Sequence, residues 1–255
     1  MNRNKLDRPP YVHNWVRYNY PDINKTTKEL VGFARHIPTI SYQTGLRVAA
    51  DRILHGLDYR TALKAVSRKG NPNSRRHNTE FIKAFYRFDK ERQYSGAPAF
   101  DEFVEPFRIS KGLSIPVKPT AILSEGGVFK PVFLVGWSSM PLTDFQIRLL
   151  MTLIEDAVFS LTDFQSSPGE FLSFPKDKTT GKRCPLVWQR GDFELLSKAE
   201  LAEQIDLYLN ALQKAKSILE TDIVEEESSK KPSNERVSEP PVITQDFSNI
   251  WGEID

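Results

Sequence analysis

Side chains that could bind phosphate are concentrated around residues 60–77. Five of them lie in or just before the segment NPNSRRHN, which spans residues 71–78: Arg68, Lys69, Arg75, Arg76 and His77. The Asn, Pro and Ser residues of this segment predict a loop. Because arginine and amide groups donate hydrogen bonds to phosphate oxygens, the segment is a candidate phosphate-binding loop. A mobile, solvated loop is the alternative interpretation.

Residues 42–69 predict two short helices joined by the turn GLDY. The second helix, within YRTALKAVSRKG, carries Arg60 and Lys64 and is basic along its length. A helix-turn-helix that places this second helix in a nucleic-acid groove is one interpretation of the pair. Helix pairs of this kind also occur as purely structural units.

The small net charge of +2 conceals two halves of opposite sign. Residues 1–120 carry 22 Lys+Arg against 11 Asp+Glu, whereas residues 121–255 carry 13 against 22. A basic half favours contact with polyanions such as nucleic acid, because charge governs encounter and nonspecific affinity. A solvated basic face is the alternative.

Cysteine and histidine usage excludes several kinds of site. The one cysteine, Cys184, allows no internal disulfide and no zinc or iron–sulfur site built on a cysteine cluster. The four histidines show no HExxH or paired-ligand spacing. No apolar run approaches the roughly 20 residues of a membrane span, and MNRNKLDRPP lacks the apolar core of a secretory signal. We therefore expect a cytoplasmic protein without a membrane partner.

The first 95 residues predict a basic, helical N-terminal region. Aromatic residues between Pro9 and Pro21 indicate an irregular arm packed on the protein, and Thr26 or Thr27 is the expected N-cap of a first helix. Apolar residues at helical spacing predict the helices that follow. The expected helices span residues 26–35, 42–56, 58–69 and 79–92.

Residues 96–219 predict an α/β core of helix, three strands, helix, two strands and helix. Gly126-Gly127 is a hairpin signal, and 129–137 has the continuous apolar character of a buried strand. The expected elements are a helix at 99–106, strands within 107–137 that include 115–124 and 129–137, a helix at 144–161 capped by Thr143, strands at 170–175 and 185–196, and a helix at 198–219 capped by Ser197. The predicted fold class is α+β, an α/β sandwich whose mixed central sheet is flanked by helices.

The hairpin and the helix after it carry a family resemblance. Residues 117–123 read VKPTAIL, residues 132–137 read VFLVGW, and the following helix supplies Gln146, with Leu150 four residues later. Over residues 99–165 the chain resembles the restriction-endonuclease-like, or PD-(D/E)XK, superfamily in its RecB-like branch. There the hairpin reads roughly KPDxIL…G…VEVK, and the helix carries QxxxY.

The resemblance implies a metal site whose charged residues are replaced in this chain. Family nucleases hold a divalent metal with an aspartate and a glutamate of the hairpin, and a lysine orients the attacking water. The matching positions here are Thr120, Leu134 and Gly136, or Val135 and Trp137 if the second strand shifts by one residue. Because Mg²⁺ needs anionic oxygen ligands, we expect no catalysis, no metal and no cofactor.

Two alternatives to this degenerate-nuclease interpretation remain open. An active Mg²⁺-dependent nuclease would need displaced acids, for which Glu102, Glu105, Glu125 and Asp144 are the candidates, assisted by Gln146. Some family members carry a ligand on the preceding helix, which favours Glu102 or Glu105. In the other alternative, 129–137 is simply a buried strand of an unrelated α+β core.

Residues 220–255 predict a disordered acidic tail with a short terminal motif. They contain ten Asp+Glu and three Lys+Arg. The motif QDFSNIW offers four residues for docking a protein partner: Gln245, Phe247, Ile250 and Trp251. It loosely resembles the bacterial sliding-clamp-binding peptide, with a spacing one or two residues longer. Packing of Trp251 onto the protein's own surface is the alternative.

These observations favour a noncatalytic, nucleic-acid-associated protein whose tail docks a partner. The candidate nucleic-acid-binding residues are Arg60, Lys64, Arg68, Lys69, Arg75, Arg76 and His77. A protein-interaction factor, such as a regulator, inhibitor or toxin-system component, is the alternative without nucleic-acid binding. The metal-dependent nuclease is the third hypothesis.

Overall fold

Seven α-helices and seven strands form the part of the chain that the computed structural model describes, residues 5–36, 39–94, 97–100 and 102–229. The chain divides into two compact units, 1–219 and 220–255. The helices are α1 (Val12–Trp15), α2 (Ile23–Arg35), α3 (Gln43–His55), α4 (Tyr59–Arg68), α5 (Pro72–Arg92), α6 (Asp144–Ile154) and α7 (Lys198–Ser229). The strands are β1 (Ala97–Pro98), β2 (Glu105–Ser110), β3 (Leu113–Val117), β4 (Ala121–Glu125), β5 (Val128–Val135), β6 (Glu170–Ser173) and β7 (Leu186–Gln189).

Five of the strands form a mixed sheet in the order β1-β4-β5-β6-β7. Strands β5 and β6 are parallel, and the other neighbouring pairs are antiparallel. Strands β2 and β3 form a separate antiparallel pair. The predicted α+β class and the mixed central sheet are confirmed.

The β4–β5 hairpin is built by its turn residues. Glu125 pairs with Val128, so only Gly126 and Gly127 connect the strands. Both glycines have positive φ, 61° and 81°, as a type I′ turn requires at its two central positions. The predicted hairpin turn is confirmed.

Strand β5 separates two hydrophobic cores. Successive side chains of a strand point to opposite faces, so Phe133 and Val135 enter one core while Val132 and Leu134 enter the other. The first core contains the two-stranded sheet, α2, α6, α7 and the N-terminal arm. The second contains α3, α4 and α5. The helical region before residue 95 thus completes the core of the sheet that follows it.

The loop predicted at residues 71–78 is wrong, because this segment forms the first turns of α5. Phosphate binding by its basic residues stays a prediction. The Asn71 side chain accepts a hydrogen bond from the Ser74 amide at 2.7 Å, and Pro72 occupies the first turn. Asn78 is buried and donates to the carbonyl groups of Ser41 and Ser74. Residues that resemble a turn in sequence therefore cap and anchor a helix.

The helix predicted at 99–106 is also wrong. Residues 99–100 and 102–104 have no regular structure, and β2 begins at Glu105. Phe100 packs on Phe129 and Phe103 packs on Phe164, with ring centroids 5.4 and 5.2 Å apart. These aromatic contacts, together with the missing amide of Pro106, favour extended chain.

Smaller differences concern element boundaries. The strand expected at 115–124 divides into β3 and β4, because the chain passes between the two sheets at residues 118–120. Asp22, rather than Thr26 or Thr27, caps α2. A π-helical turn, Glu155–Phe159, continues α6. Helix α7 extends to Ser229, ten residues into the expected tail, and residues 230–255 lie outside the described part.

The N-terminal arm packs on the protein as expected, but it is not irregular throughout, because it contains α1. Trp15 is 1% exposed and contacts the Tyr208 ring at 4.7 Å between centroids. His13 packs edge-on against Trp137. Burial, and next the charge of Arg17, lowers the pKa of His13 from 6.5 to about 4. His13 is therefore neutral in the folded protein at pH 6.

This lowered pKa predicts acid destabilisation through His13. Unfolding restores the ordinary pKa, so the stability that depends on neutral His13 is complete above about pH 6.5 and is lost as pH falls towards 4. Urea unfolding between pH 7 and 4.5 should show His13→Gln losing about 2 kcal/mol less than the unsubstituted protein. The exposed His55, changed to Gln, is the control; identical pH profiles for all three proteins would contradict the prediction.

Candidate nucleic-acid interface

The hairpin positions that the family resemblance assigns to a metal site do lie side by side. The Thr120 amide donates to the Val132 carbonyl at 2.7 Å, and the Leu134 amide donates to the Thr120 hydroxyl at 2.9 Å. The side chain of Thr120 thus extends the pairing of β4 with β5. It serves the hairpin and supplies no anionic ligand.

The other two positions have no room for charged groups. Leu134 is 3% exposed and packs in the core beneath α3, α4 and α5. A Cβ atom at Gly136 would lie 2.4 Å from the Tyr42 ring. A lysine at Gly136 would therefore require Tyr42 to move.

The candidate catalytic acids lie on separate elements. Glu102 and Asp144 are exposed, and Glu105 lies opposite Val117 in the two-stranded sheet. No helix carries Glu102 and Glu105 in the described part of their segment, because residues 102–104 have no regular structure and Glu105 begins β2. Among the residues that the structure describes, no three His, Cys, Asp or Glu side chains are grouped to hold a metal ion.

Gln146 is a buried structural residue. Its side-chain oxygen accepts from the Thr143 amide at 3.0 Å, and its nitrogen donates to the carbonyl groups of Arg17 and Asn19 at 3.1 and 2.9 Å. Thr143 in turn accepts from the Gln146 amide, which completes a capping box and confirms the predicted N-cap. Gln146 thereby joins α6 to the N-terminal arm.

Glu125, another candidate acid, belongs to an ion network across the sheet. Arg92 contacts Glu125 and Glu170 at 3.1 Å each, and Lys130 contacts Glu170 at 2.6 Å. Burial acts to raise the pKa of Glu170, but hydrogen bonds from Lys130 and Tyr94 and the charge of Arg92 lower it overall. Both carboxylates are already neutralised by protein cations.

A second polar cluster lies beside Gly136, where β5 and β6 end. Arg183 is 5% exposed, and its Nη1 donates to the carbonyl groups of Gly136, Trp137 and Phe174 at 3.1, 2.9 and 2.8 Å. Its Nη2 donates to the Tyr42 hydroxyl at 3.1 Å. One buried cation thus joins two strand ends to the residue before α3.

His77 belongs to this cluster. Its Nδ1 lies 3.4 Å from the Tyr42 hydroxyl. Desolvation, with a contribution from nearby cations, lowers the pKa of His77 despite the Glu80 carboxylate. A neutral histidine beside a tyrosine is a weak ligand for phosphate.

The remaining basic candidates of α4 form an outward stripe. Arg60, Lys64 and Arg68 are exposed at spacings of four residues, opposite the buried Ala62 and Val66. Lys69 is exposed just beyond the helix. Two further candidates lie on α5, where Arg76 is exposed and Arg75, about 100° further around the helix, is half-buried.

Helix α5 carries a longer stripe that begins at Arg76. It continues with the exposed side chains of Lys83, Arg87 and Lys90, at spacings of seven, four and three residues. Within the described ranges these three side chains make no ion pair. The i, i+4, i+7 spacing of Lys83, Arg87 and Lys90 is present in the sequence and could have indicated this stripe, but the prediction for this helix concerned only its core face.

A depression of about 540 Å³ lies where α3, α4 and α5 meet. Its lining consists of Arg52, Tyr59, Lys83, Tyr86, Arg87, Asp89 and Lys90. Asp89 is 1% exposed and pairs with Arg52 at 2.7 Å. The exposed charge of the lining is therefore positive, and two tyrosines lie among the cations.

Comparisons with known proteins add no relative. No protein-family model matches the chain, and no curated protein sequence matches it.

No helix in the described part is long and apolar enough to cross a membrane. The candidate docking residues Gln245, Phe247, Ile250 and Trp251 lie outside the described residues.

Replacing Arg183 should destabilise the fold. Arg183→Met leaves three buried carbonyl groups without their donor, which we expect to lower the free energy of unfolding by about 3 kcal/mol. Lys182→Met, at the exposed neighbouring residue, should change it by less than about 0.5 kcal/mol. Urea unfolding measures both, and equal midpoints for the two variants would refute the role assigned to Arg183.

Proposed function

We propose that this protein binds nucleic acid through the outward face of α4 and α5 and does not cleave it. The observation that carries the proposal is the double stripe of exposed cations. Its members are Arg60, Lys64, Arg68, Arg76, Lys83, Arg87 and Lys90. Residues 43–92, which form α3 to α5, carry 12 Lys+Arg against five Asp+Glu.

The length of the α5 stripe suits a nucleic-acid backbone. Arg76 and Lys90 are 14 residues apart, which is about 21 Å along a helix. One strand of a duplex presents about six phosphates over that distance. Cations without a carboxylate partner bind such phosphates at little cost, since no ion pair has to break.

The interior of the hairpin supports the noncatalytic part of the proposal. Thr120 is hydrogen-bonded to the opposite strand, Leu134 is buried, and Tyr42 fills the space beside Gly136. A catalytic metal needs a cluster of anionic oxygens in an open position. In this proposal the hairpin that resembles the family's metal site serves as a scaffold that supports α3, α4 and α5.

The acidic terminal segment extends the proposal to a protein partner. Phe247, Ile250 and Trp251 offer apolar anchors within an acidic sequence, a composition typical of motifs that dock in a groove. Removing residues 240–255 should abolish partner capture and leave nucleic-acid affinity intact.

Neutralising the α5 stripe should weaken binding and its salt dependence together. We expect the triple change Lys83→Gln, Arg87→Gln and Lys90→Gln to lower affinity for an oligonucleotide more than tenfold at 100 mM salt. The slope of log affinity against log salt should fall by about two to three, because each lost phosphate contact removes about 0.7 to 0.9. Fluorescence anisotropy over a salt titration measures both quantities.

A matched control lies on the other side of the sheet. Arg108, Lys111 and Lys198 are exposed and, when changed to Gln, remove the same three charges. This control should keep nearly full affinity. Equal losses in the two triple variants would refute the assigned face. No binding by the unsubstituted protein would refute the proposal and favour the protein-interaction alternative.

Incubation with plasmid DNA distinguishes the noncatalytic proposal from the nuclease alternative. We expect the pure protein to leave the plasmid intact in the presence of Mg²⁺ or Mn²⁺, whereas the nuclease alternative predicts cleavage. Cleavage that disappears in Glu105→Ala, or in the corresponding Glu102 or Asp144 variant, would contradict the noncatalytic proposal. Cleavage that persists in all three variants would indicate a contaminating nuclease. Further purification should then remove the cleavage activity.

A further inference from the structure

We infer that the depression beside Tyr59 takes an unpaired nucleobase, so that this protein prefers single-stranded to double-stranded nucleic acid. The inference rests on the proposed function and adds the class of nucleic acid to it. Its basis is the placement of an exposed aromatic ring at the edge of the basic stripe of α5.

Tyr59 is a large aromatic side chain left open to solvent. It is 45% exposed, and its ring contacts the Tyr86 ring at 5.3 Å between centroids. An exposed tyrosine among cations offers a π-face to a base, and stacking of this kind tolerates every base because each has such a face. The ring can thus bind nucleic acid without reading its sequence.

The surroundings of Tyr59 are held in place. Asp58 caps α4 by accepting from the amides of Arg60 and Thr61 at 3.0 Å each, which orders the backbone at the start of the helix. The Tyr86 hydroxyl donates to the Leu57 carbonyl at 2.6 Å, and burial raises the pKa of Tyr86 to about 12, so the hydroxyl stays protonated. A preorganised wall lowers the entropic cost of binding.

The charged side chains of the depression leave its open surface positive. The carboxylate in the lining, Asp89, is 1% exposed and pairs with Arg52. Lys83, Arg87 and Lys90 lie along α5 before and after Tyr86, separated by about 6 and 4.5 Å along the helix axis. A neutral base can stack on Tyr59 while the phosphates of the same strand contact these cations.

The position of the ring favours a single strand. In a duplex each base is stacked on its neighbours and presents only its edge, so a ring inside a depression cannot reach a base face. An unpaired strand can turn one base out against Tyr59 while its backbone follows the cations. The volume of about 540 Å³ lies within the usual range for small-ligand pockets, which admits one nucleotide.

The test compares a labelled 12-nucleotide oligo-dT strand with a hairpin duplex of equal charge, using fluorescence anisotropy at 100 mM salt. The unsubstituted protein should bind the single strand at least tenfold more tightly than the duplex. Tyr59→Ala should lower single-strand affinity about tenfold, with the duplex affinity and the salt slope unchanged. Tyr59→Phe should retain affinity, because stacking needs the ring and not the hydroxyl.

Tyr11→Ala is the matched control, since Tyr11 is 43% exposed on the N-terminal arm, and it should bind as the unsubstituted protein does. A preference for duplex, or a Tyr59→Ala loss that is equal for both nucleic acids or absent for both, would overturn the inference while the proposed function stands. Binding of neither nucleic acid would instead overturn the proposed function. The thermal unfolding temperature of Tyr59→Ala should match that of the unsubstituted protein, which shows that this variant is folded. If Tyr59→Phe also retains affinity, the loss in Tyr59→Ala is due to the missing ring.

Discussion

The alternation of side chains along β5 is the constraint on which the rest of the structure depends. Phe133 and Val135 fill one core while Val132 and Leu134 fill the other, so both faces of this strand must be covered. Helices α3, α4 and α5 cover one face, and α2, α6, α7 and the arm cover the opposite one. A strand buried on both sides accepts no uncompensated charge, because desolvating an ion costs several kcal/mol.

The same constraint accounts for two features, the uncharged residues at the hairpin positions matched to a metal site and the basic surface of α4 and α5. A metal site at Thr120, Leu134 and Gly136 would need acids and a lysine in positions now occupied by packing contacts. Covering the sheet with α3, α4 and α5 leaves the outer sides of α4 and α5 free to carry charge. The cationic stripes of α4 and α5 therefore lie on helices that cover the sheet, and the hairpin beneath supports these helices.

Local sequence signals predicted much of this fold. The Gly126-Gly127 turn, the Thr143 cap and the helix pair before residue 69 each depend on neighbouring residues and are confirmed. The segment 71–78 was mispredicted because Asn71 and Pro72 suit a helix start as well as a loop, and because Ser41, the partner of Asn78, is distant in sequence. The segment 99–106 was mispredicted because Phe129 and Phe164, the partners of two phenylalanines, are also distant. The partners of Arg183 and Glu170 are also distant in sequence, so neither residue could be singled out beforehand.

Lysine acetylation footprinting tests most directly whether the face of α4 and α5, and not the hairpin, is the functional surface. A single-stranded oligonucleotide should protect Lys64, Lys83 and Lys90 from acetylation and leave Lys111 and Lys198 reactive. Protection centred on Lys118, which lies two residues from Thr120, or equal protection of all these lysines would contradict the assignment of this face.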